Sequence, residues 1–332
     1  MEMFLPRRTS TEDESIGSFM RRRFGDEATD YLAEPLLAGI HAGDVDKLSI
    51  RALFPRFPET EARAGSLLRA FRSGPKAPPS KDGAFKSLPG GLSELVRALE
   101  AVLPAASIRK NTAAAGIQRT GSHFVVRTSS GDALPARAVV VATPAFASAW
   151  LLRDVAPDAA RTCGDIPYAS AVTVSMAFRR EAIADPLVGS GFVVPRVEKT
   201  GIMAGSYLSS KWPNRAPEGS VLLRAFLGGA RDPDAIAKSD AEVVSTALNA
   251  MRPLIGITGE PLFTRVFRWE RANAQHDVGH LDRVASIERA IATCPGLFIT
   301  GSGFRGVGIP DCVADGRATA RQVSAWLGSS VS

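Results

Sequence analysis

Cysteine and histidine are scarce in this sequence, and long apolar runs are absent. The three cysteines, Cys163, Cys294 and Cys312, are odd in number and far apart, which is typical of reduced thiols rather than of a disulfide framework or a zinc site. No stretch approaches the roughly 18 apolar residues that a transmembrane helix needs, and the first residues do not have the form of a secretory signal. We therefore expect a cytoplasmic protein.

Motifs for hydrolysis and for nucleic-acid binding are also missing. The chain has four histidines and no G-x-S-x-G segment, which argues against an activated serine nucleophile. The net charge is +6, but lysine and arginine are scattered and are not interleaved with aromatic residues, so we expect no nucleic-acid partner. A basic surface explains the charge most simply, and an anionic ligand or an acidic membrane surface are the alternatives.

The apolar pattern predicts helices first and strands later in the chain, whose 332 residues suffice for two domains. Between residues 11 and 40 apolar residues recur at helical spacing, Thr11–Glu14 has the form of a capping box, and Gly25 ends the first helix. Residues 73–83 are rich in proline and glycine and predict a loop. Gly90 and Gly91 precede another helix, where they form either a tight turn or a site that a flat or charged group can approach.

The second part of the chain has the pattern of an α/β fold with an α+β insertion. Residues 138–142 are apolar on both faces, as expected for a buried parallel strand, and the strand ends at Thr143-Pro144. From about 168 to 270 strand-like runs follow one another with one helix, Ala241–Met251, among them. The chain ends as a strand, a glycine-rich loop and a helix.

The glycine-rich loop Gly301–Gly306 matches G-x-G-x-x-G and follows a predicted strand. A complete Rossmann motif is not predicted, because Gly308 and Pro310 delay the helix and only 26 residues remain after Gly306. Two interpretations are left. The loop is a plain strand-to-helix connection, or Val307, Gly308 and Ile309 expose backbone N–H groups to an electron-rich ring or a phosphate. We favour the second.

The run Gly301–Arg317 resembles the C-terminal flavin motif of protoporphyrinogen and coproporphyrinogen oxidases, which belong to the amine-oxidase-like flavoproteins. Other segments resemble motifs of the same family and occur in the family's order along nearly the whole chain. They are Glu14–Gly25, Glu34–Ile40, Phe54–Phe57, Leu88–Leu92 and Lys211–Gly219.

This resemblance implies FAD as the cofactor, a porphyrinogen as the substrate and oxygen as the electron acceptor, within haem biosynthesis. It implies an incomplete, Rossmann-like FAD-binding domain formed by residues 85–150 and 289–332. A helical lobe would span residues 1–84, and a mixed-sheet substrate domain would span residues 151–288. The resemblance leaves the oligomeric state open and does not distinguish protoporphyrinogen from coproporphyrinogen.

The resemblance also assigns cofactor contacts, whereas it identifies no catalytic residue. The backbone of residues 307–309 would face the flavin ring, Trp269 would lie against the cofactor, and Ala114 would contact the adenine end. Trp269 has an alternative role as an ordinary packing residue. His276 and His280 stand four apart but only Asp277 accompanies them, so we expect no metal site. The cofactor residues are thus Val307, Gly308, Ile309, Trp269, Ala114, Gly90, Gly91, Thr143 and Gly301.

Two departures from the family pattern qualify the prediction. Family members begin with a strand and a G-x-G-x-x-G loop that binds the FAD pyrophosphate. Met1 of this sequence corresponds to a later position in the family pattern. We therefore expect weak FAD binding or none. The family usually has Pro-Gln-Tyr where this sequence has Ala274-Gln275-His276. A non-catalytic flavoprotein remnant and another desaturase of the superfamily are the alternatives, although Lys211–Gly219 favours the porphyrinogen branch.

A membrane-facing surface is a further expectation, because porphyrins are sparingly soluble. Arg21–Arg23 stand beside Phe19, Met20 and Phe24, and a basic and apolar helix face of this kind binds anionic membranes. The alternative is a solvated run of charges on an ordinary helix.

Overall fold

The computed structural model describes residues 2–73 and 86–329, which form a helical lobe, a small α/β unit and a five-stranded antiparallel sheet. The predicted α/β fold with an α+β insertion is confirmed. The helices are α1 Ile16–Phe24, α2 Asp26–Ala28, α3 Glu34–His41, α4 Ile50–Leu53, α5 Arg56–Ala64, α6 Leu67–Ser73, α7 Ser93–Val102, α8 Ala145–Leu152, α9 Pro157–Gly164, α10 Leu208–Lys211, α11 Asp240–Ile255, α12 His280–Ala292 and α13 Ile309–Ser329. The strands are β1 Ala114–Thr120, β2 His123–Thr128, β3 Ala133–Ala136, β4 Val139–Val141, β5 Tyr168–Arg179, β6 Gly191–Val193, β7 Ala204–Tyr207, β8 Ser220–Gly228, β9 Phe263–Ala274 and β10 Leu297–Ile299.

The helical lobe comprises α1 to α6 and is held together by buried ion pairs as well as by apolar packing. Arg23 is fully buried and binds the carboxylate of Glu2, and it also lies 3.4 Å from the Glu61 carboxylate. Arg22 donates to Glu61 at 2.6 Å and to Glu14 at 2.8 Å. Each of these charges has an opposite partner, which is the condition under which charges are tolerated inside a protein.

Phe19 and Arg23 do not belong to the basic and apolar surface predicted for this helix. Phe19 has no exposed area and packs in the core of the lobe. The three arginines bind carboxylates of the lobe, including that of Asp46, which accepts from Arg21. Among residues 2–73 and 86–329, no helix combines the length and the apolar composition needed to cross a bilayer.

Helix boundaries in the lobe follow cap residues, and one predicted cap was wrong. Ser15 rather than Thr11 caps α1, because its Oγ accepts a hydrogen bond from the Ser18 N–H at 3.0 Å. Gly25 ends α1, as predicted. The loop predicted over residues 73–83 lies outside the described residues, apart from Ser73, which ends α6.

The small α/β unit is assembled from two distant parts of the chain. The parallel strands β4 and β10 pair through Val139–Leu297, Val140–Phe298 and Val141–Ile299. The meander β1-β2-β3 lies beside them, and α8, α9 and α12 pack with the strands into one apolar core. Parallel strands joined by a long insertion end at the same edge of a sheet, so residues near 142 and 300 are brought together.

The five-stranded sheet has the order β6-β7-β8-β5-β9, with every neighbouring pair antiparallel. One face packs against α11, where Val243, Ala247 and Met251 meet Val172 and Val174. Side chains alternate between the faces of a strand, so Thr173, which lies between Val172 and Val174 on β5, points to the opposite face. That face lies beneath the helical lobe.

The lobe is fastened to the sheet by the ion pair between Glu34 on α3 and Arg231, which follows β8. Both side chains are only 10% exposed, and the guanidinium donates to the two carboxylate oxygens at 3.0 and 2.7 Å. Arg231 also donates to the Val194 carbonyl at 2.7 Å. Nearby, the Ala230 N–H donates to the Ala42 carbonyl at 2.9 Å. A charged contact and a backbone contact therefore fix the position of α3 over the sheet.

We predict that Arg231→Ala lowers the free energy of unfolding by about 3 kcal/mol, because it leaves the Glu34 carboxylate buried without its partner. Urea denaturation would measure the loss. Arg252→Ala is the control, since the Arg252–Glu260 pair is exposed and its removal is expected to change stability by less than about 1 kcal/mol. Equal losses in the two variants would contradict this account of the lobe contact.

Candidate functional site

The carboxyl ends of β4 and β10 meet at Thr143 and Gly301, two of the predicted cofactor residues. Gly301 has a φ of +131°, which favours glycine, and a Cβ placed on it would lie 3.8 Å from the Thr143 carbonyl oxygen. Ligands of open α/β sheets bind beyond the carboxyl ends of the strands. The structure thus brings these two residues together at an edge where a ligand can bind.

Helix α13 starts at the same edge, and the backbone N–H groups of its first residue and of the two residues before it have no acceptor among the described residues. Among the described residues, no hydrogen-bond acceptor pairs with the N–H of Val307, Gly308 or Ile309. The side chains of Val307 and Ile309 are partly exposed as well. Unpaired N–H groups and the positive end of a 21-residue helix attract a negative charge or an electron-rich ring edge.

The glycine loop between β10 and α13 is held by Asp315, which lies in the second turn of α13. One carboxylate oxygen of Asp315 accepts from the Thr300 hydroxyl and from the Gly301 N–H at 3.3 Å. The other accepts from Arg305 at 2.9 Å, and Arg305 also donates to Glu288 on α12. These bonds tie the loop to two helices and keep its backbone in place.

His276 and His280 support the loop from its other side. The rings stack with centroids 3.9 Å apart, and their Nε2 atoms lie 3.2 Å from the Ser302 carbonyl oxygen and 2.8 Å from that of Phe304. A carbonyl oxygen only accepts, so Nε2 carries the proton in both rings. His276 precedes α12 and His280 is its first residue, which means that the pair does not share a helix face.

Both rings are buried, and this keeps them uncharged. Burial, together with the nearby His280, lowers the pKa of His276 to about 3. Burial also lowers the pKa of His280. Within the described parts of the chain, no group of three or more His, Cys, Asp or Glu side chains is arranged to hold a metal ion. The two histidines therefore act as neutral hydrogen-bond donors to the loop.

Trp269 lies on the sheet face beneath the lobe, beside a cavity of about 440 Å³. Its indole N–H donates to the Thr173 hydroxyl at 3.1 Å, and about half of the side chain remains exposed. The indole is therefore fixed at one end and available for contact along its face, unlike a tryptophan in a packed core. The cavity is also lined by Ile40, Met203, Arg224, Phe226 and Asn273.

The remaining predicted residues lie in other places. Ala114 is the exposed first residue of β1, and the carbonyl of its neighbour Ala115 accepts from Trp150 on α8 at 3.2 Å. Gly90 and Gly91 form a tight turn whose N–H groups bind Glu94 and the Leu88 carbonyl. No contact joins these three residues to the glycine loop among the described residues.

Two strand ends, a glycine loop held by hydrogen bonds on both sides and a helix start with unpaired N–H groups form a candidate site for a group with an electron-rich or anionic edge. Strand β9, which carries Trp269, leads within two residues of its end to His276, and His276 binds the loop. The strand that lines the cavity is thus joined to the glycine loop through a hydrogen bond of His276. This combination is that of an α/β protein with a candidate cofactor site and a separate sheet that presents a cavity.

Comparison with known proteins gives the family. The model of the family described as flavin containing amine oxidoreductase matches residues 2–324, and the chain therefore belongs to this family of oxidoreductases. It is 35% identical to the coproporphyrinogen III oxidase of Bacillus subtilis, over 98% of this chain and 71% of that protein. It is 30% identical to the chloroplastic protoporphyrinogen oxidase of Nicotiana tabacum, over 95% of this chain and 62% of that protein.

Two solved structures have a fold similar to that of this chain. A crystal structure from Exiguobacterium sp. 255-15, of a protein that carries the name of a protoporphyrinogen oxidase, matches with a TM-score of 0.82. The identity is 32%, over 97% of this chain and 68% of that one. Cyclohexylamine oxidase from Brevibacterium oxydans matches with a TM-score of 0.68 at 12% identity, which shows a shared fold.

Sequence reasoning missed four residues that the structure places at or beside the site. Asp315 and the two stacked histidines hold the glycine loop, and Arg224 lies in the cavity beside Trp269. The signal for Asp315 was available, since an acidic residue inside a glycine-flanked helix start is a candidate loop anchor. No sequence signal connects Arg224 with Trp269, because they lie on different strands, 45 residues apart in the numbering.

We predict that His276 makes the protein less stable in mild acid. The folded-state pKa, about 3, lies below the value of about 6.5 in the unfolded chain, so only the unfolded chain gains this proton as the pH falls through that window. Between pH 7 and pH 5, wild type should lose about 2 kcal/mol more unfolding free energy than His276→Gln. Urea denaturation at both values measures this difference.

The exposed His123 provides the control, because His123→Gln should leave the pH dependence of wild type unchanged. If His276→Gln loses as much stability between pH 7 and pH 5 as wild type does, the conclusion that His276 is uncharged in the folded protein is contradicted.

Proposed function

We propose that this chain oxidises a porphyrinogen to the porphyrin, with FAD as the cofactor and oxygen as the final electron acceptor, as a step of haem biosynthesis. The observation that carries the proposal is the set of free N–H groups at Val307–Ile309, at the carboxyl edge of the parallel strands. The relatives named as coproporphyrinogen III and protoporphyrinogen oxidases supply the substrate class. Oxygen as the acceptor rests on the resemblance described above.

The residues at this edge suit a flavin ring. The positive end of α13 and the N–H groups of residues 307–309 would stabilise negative charge at one edge of a flavin held there. Gly301 and Gly308 carry no side chains, so a flat ring can approach the backbone. A flavin bound there supplies a two-electron acceptor that oxygen reoxidises.

The cavity on the sheet suits the substrate. A porphyrinogen is a large apolar macrocycle with carboxylate side chains, and Trp269, Phe226 and Met203 offer apolar walls on one side of it. Repeated oxidation at the saturated bridging carbons requires orientation and exclusion of water rather than a nucleophile. The absence of a hydrolytic motif from the sequence agrees with this role for the protein.

Oxidation itself is tested with the purified chain supplied with excess FAD in air. Coproporphyrinogen III and protoporphyrinogen IX are added separately, and the expected result is a rise in porphyrin fluorescence above the rate without protein, with matching oxygen consumption. A flavin-loaded chain that leaves both porphyrinogens at the uncatalysed rate would contradict the proposed function.

We predict that Gly308→Val weakens flavin binding at least about tenfold while it lowers stability by about 1 kcal/mol or less. A Cβ at residue 308 would lie 2.8 Å from an oxygen of Asp311, a flexible side chain that can rotate away. The added methyl groups would instead stand in front of the free N–H groups. Quenching of FAD fluorescence measures affinity, and thermal unfolding of the flavin-free chain measures stability.

Gly316→Val is the matched control, because Gly316 lies on the same helix and a Cβ there has no atom within 4 Å. This control should bind flavin as wild type does. Unchanged flavin affinity in Gly308→Val would show that residues 307–309 are not the flavin contact.

A further inference from the structure

Arg224 on β8 is a partly buried arginine that makes no hydrogen bond or ion pair with any described residue. Its Nε atom has almost no exposed area and no partner. Burial lowers the pKa of Arg224, which reflects the lack of a neighbouring carboxylate. Arginines elsewhere in the core of this protein, such as Arg23 and Arg231, each bind a carboxylate.

The position of Arg224 in the sheet explains why it has no partner. It stands directly opposite Ser175 on β5 and Ser206 on β7, on the face that carries the cavity. Ser175 in turn stands opposite Arg265 on β9, which has no carboxylate partner among the described residues either. Neighbouring strands lie about 4.8 Å apart, so the two arginines are roughly 10 Å from each other along this row.

The cavity that Arg224 lines is otherwise apolar or neutral. Its lining includes Trp269, Phe226, Met203 and Asn273, and no aspartate or glutamate of residues 2–73 and 86–329 belongs to it. A guanidinium that is taken out of water without a carboxylate destabilises the fold, and replacing it by an apolar side chain of similar size is often stabilising. An unpaired charge at such a position is a feature of ligand sites, where the ligand provides the missing charge.

We propose that Arg224 binds a carboxylate of the substrate, and that it sets the preference for a porphyrinogen with more carboxylates over one with fewer. The inference rests on the proposed function and deepens it. Both porphyrinogens carry propionates, and coproporphyrinogen carries additional ones at the positions where protoporphyrinogen carries vinyl groups. An arginine that faces one of these positions discriminates between them. A guanidinium can donate two parallel hydrogen bonds to a propionate. A vinyl group in the same place would leave the charge unpaired.

The pyrrole rings and the charged side chain of such a substrate match two parts of the cavity. Trp269 and Phe226 provide flat contact area, whereas Arg224 provides the single charged anchor on that face of β8. Phe226 and Arg224 are two residues apart on one strand and share the face, and Thr173, which holds the Trp269 indole, stands opposite Phe226. The aromatic contacts and the charge are therefore set at fixed spacing by the sheet.

The experiment measures binding of coproporphyrin III, its tetramethyl ester and protoporphyrin IX to the wild-type chain and to Arg224→Met, by quenching of porphyrin fluorescence. Wild type should bind coproporphyrin III more tightly than the ester or protoporphyrin IX. Arg224→Met should bind coproporphyrin III about 10- to 100-fold more weakly and the ester as wild type does. Arg224→Lys should recover part of the loss, because it restores the charge without the second donor.

Two controls separate this role from a structural one. Arg289→Met removes an exposed arginine on α12, outside the cavity, and should leave all three affinities unchanged. Arg224→Met should melt at the same temperature as wild type or higher, because it removes a partly buried charge that has no carboxylate partner among the described residues. A lower melting temperature together with equal loss of the acid and the ester would assign Arg224 to the fold and overturn the proposal.

Failure of this inference is distinguishable from failure of the proposed function. Wild type that binds coproporphyrin III, with Arg224→Met binding it equally tightly, contradicts the role of Arg224 and leaves porphyrinogen oxidation standing. Wild type that binds none of the three probes contradicts both. Wild type that binds the probes but oxidises no porphyrinogen contradicts only the proposed function.

Discussion

The bidentate ion pair between Glu34 and Arg231 fixes the helical lobe over the five-stranded sheet, and the cavity depends on that placement. Ile40 and Ala42, which follow Glu34 on the lobe, form one wall of the cavity, while the sheet forms its floor. The pair can be buried because its atoms are well satisfied: the Glu34 oxygens also accept from the Arg196 N–H, and Arg231 also donates to Val194. The geometry of the cavity is thus set by a charge pair outside it.

The glycine loop depends on a different constraint, the pairing of two short strands far apart in the chain. β4 ends at Val141 and β10 starts at Leu297, with the whole five-stranded sheet inserted between them. Three residues per strand provide few backbone bonds, so apolar packing of α8, α9 and α12 has to stabilise the pair. His276 and His280, at the end of the insertion, then bond to the loop that follows β10. The C-terminal end of the insertion is consequently hydrogen-bonded to the glycine loop.

Local sequence patterns predicted the elements well and their contacts poorly. The strands at 139–141 and 297–299 and the last helix follow from apolar periodicity and glycine placement, and residues 301 and 143 meet because parallel strands share an edge. The fate of Arg21–Arg23 was not predictable in this way, since Glu61, which binds two of them, lies about 40 residues further on and belongs to another helix. Alternation in β8 places Arg224 on the face opposite Leu223 and Ala225, but only the packed sheet shows that no acidic side chain of the described residues pairs with it.

The protein has two different features that attract negative charge. At α13 the attraction comes from backbone dipoles, which are spread over several N–H groups and suit the delocalised charge of a reduced ring. In the cavity the attraction comes from one guanidinium, a full charge that suits a localised carboxylate. Both stabilise negative charge that develops nearby, but the dipoles spread the positive potential over several N–H groups, whereas a guanidinium concentrates it at one place. If the loop holds the flavin and Arg224 holds the substrate, as proposed, this separation would let substrate anchoring change without altering the electrostatics at the cofactor.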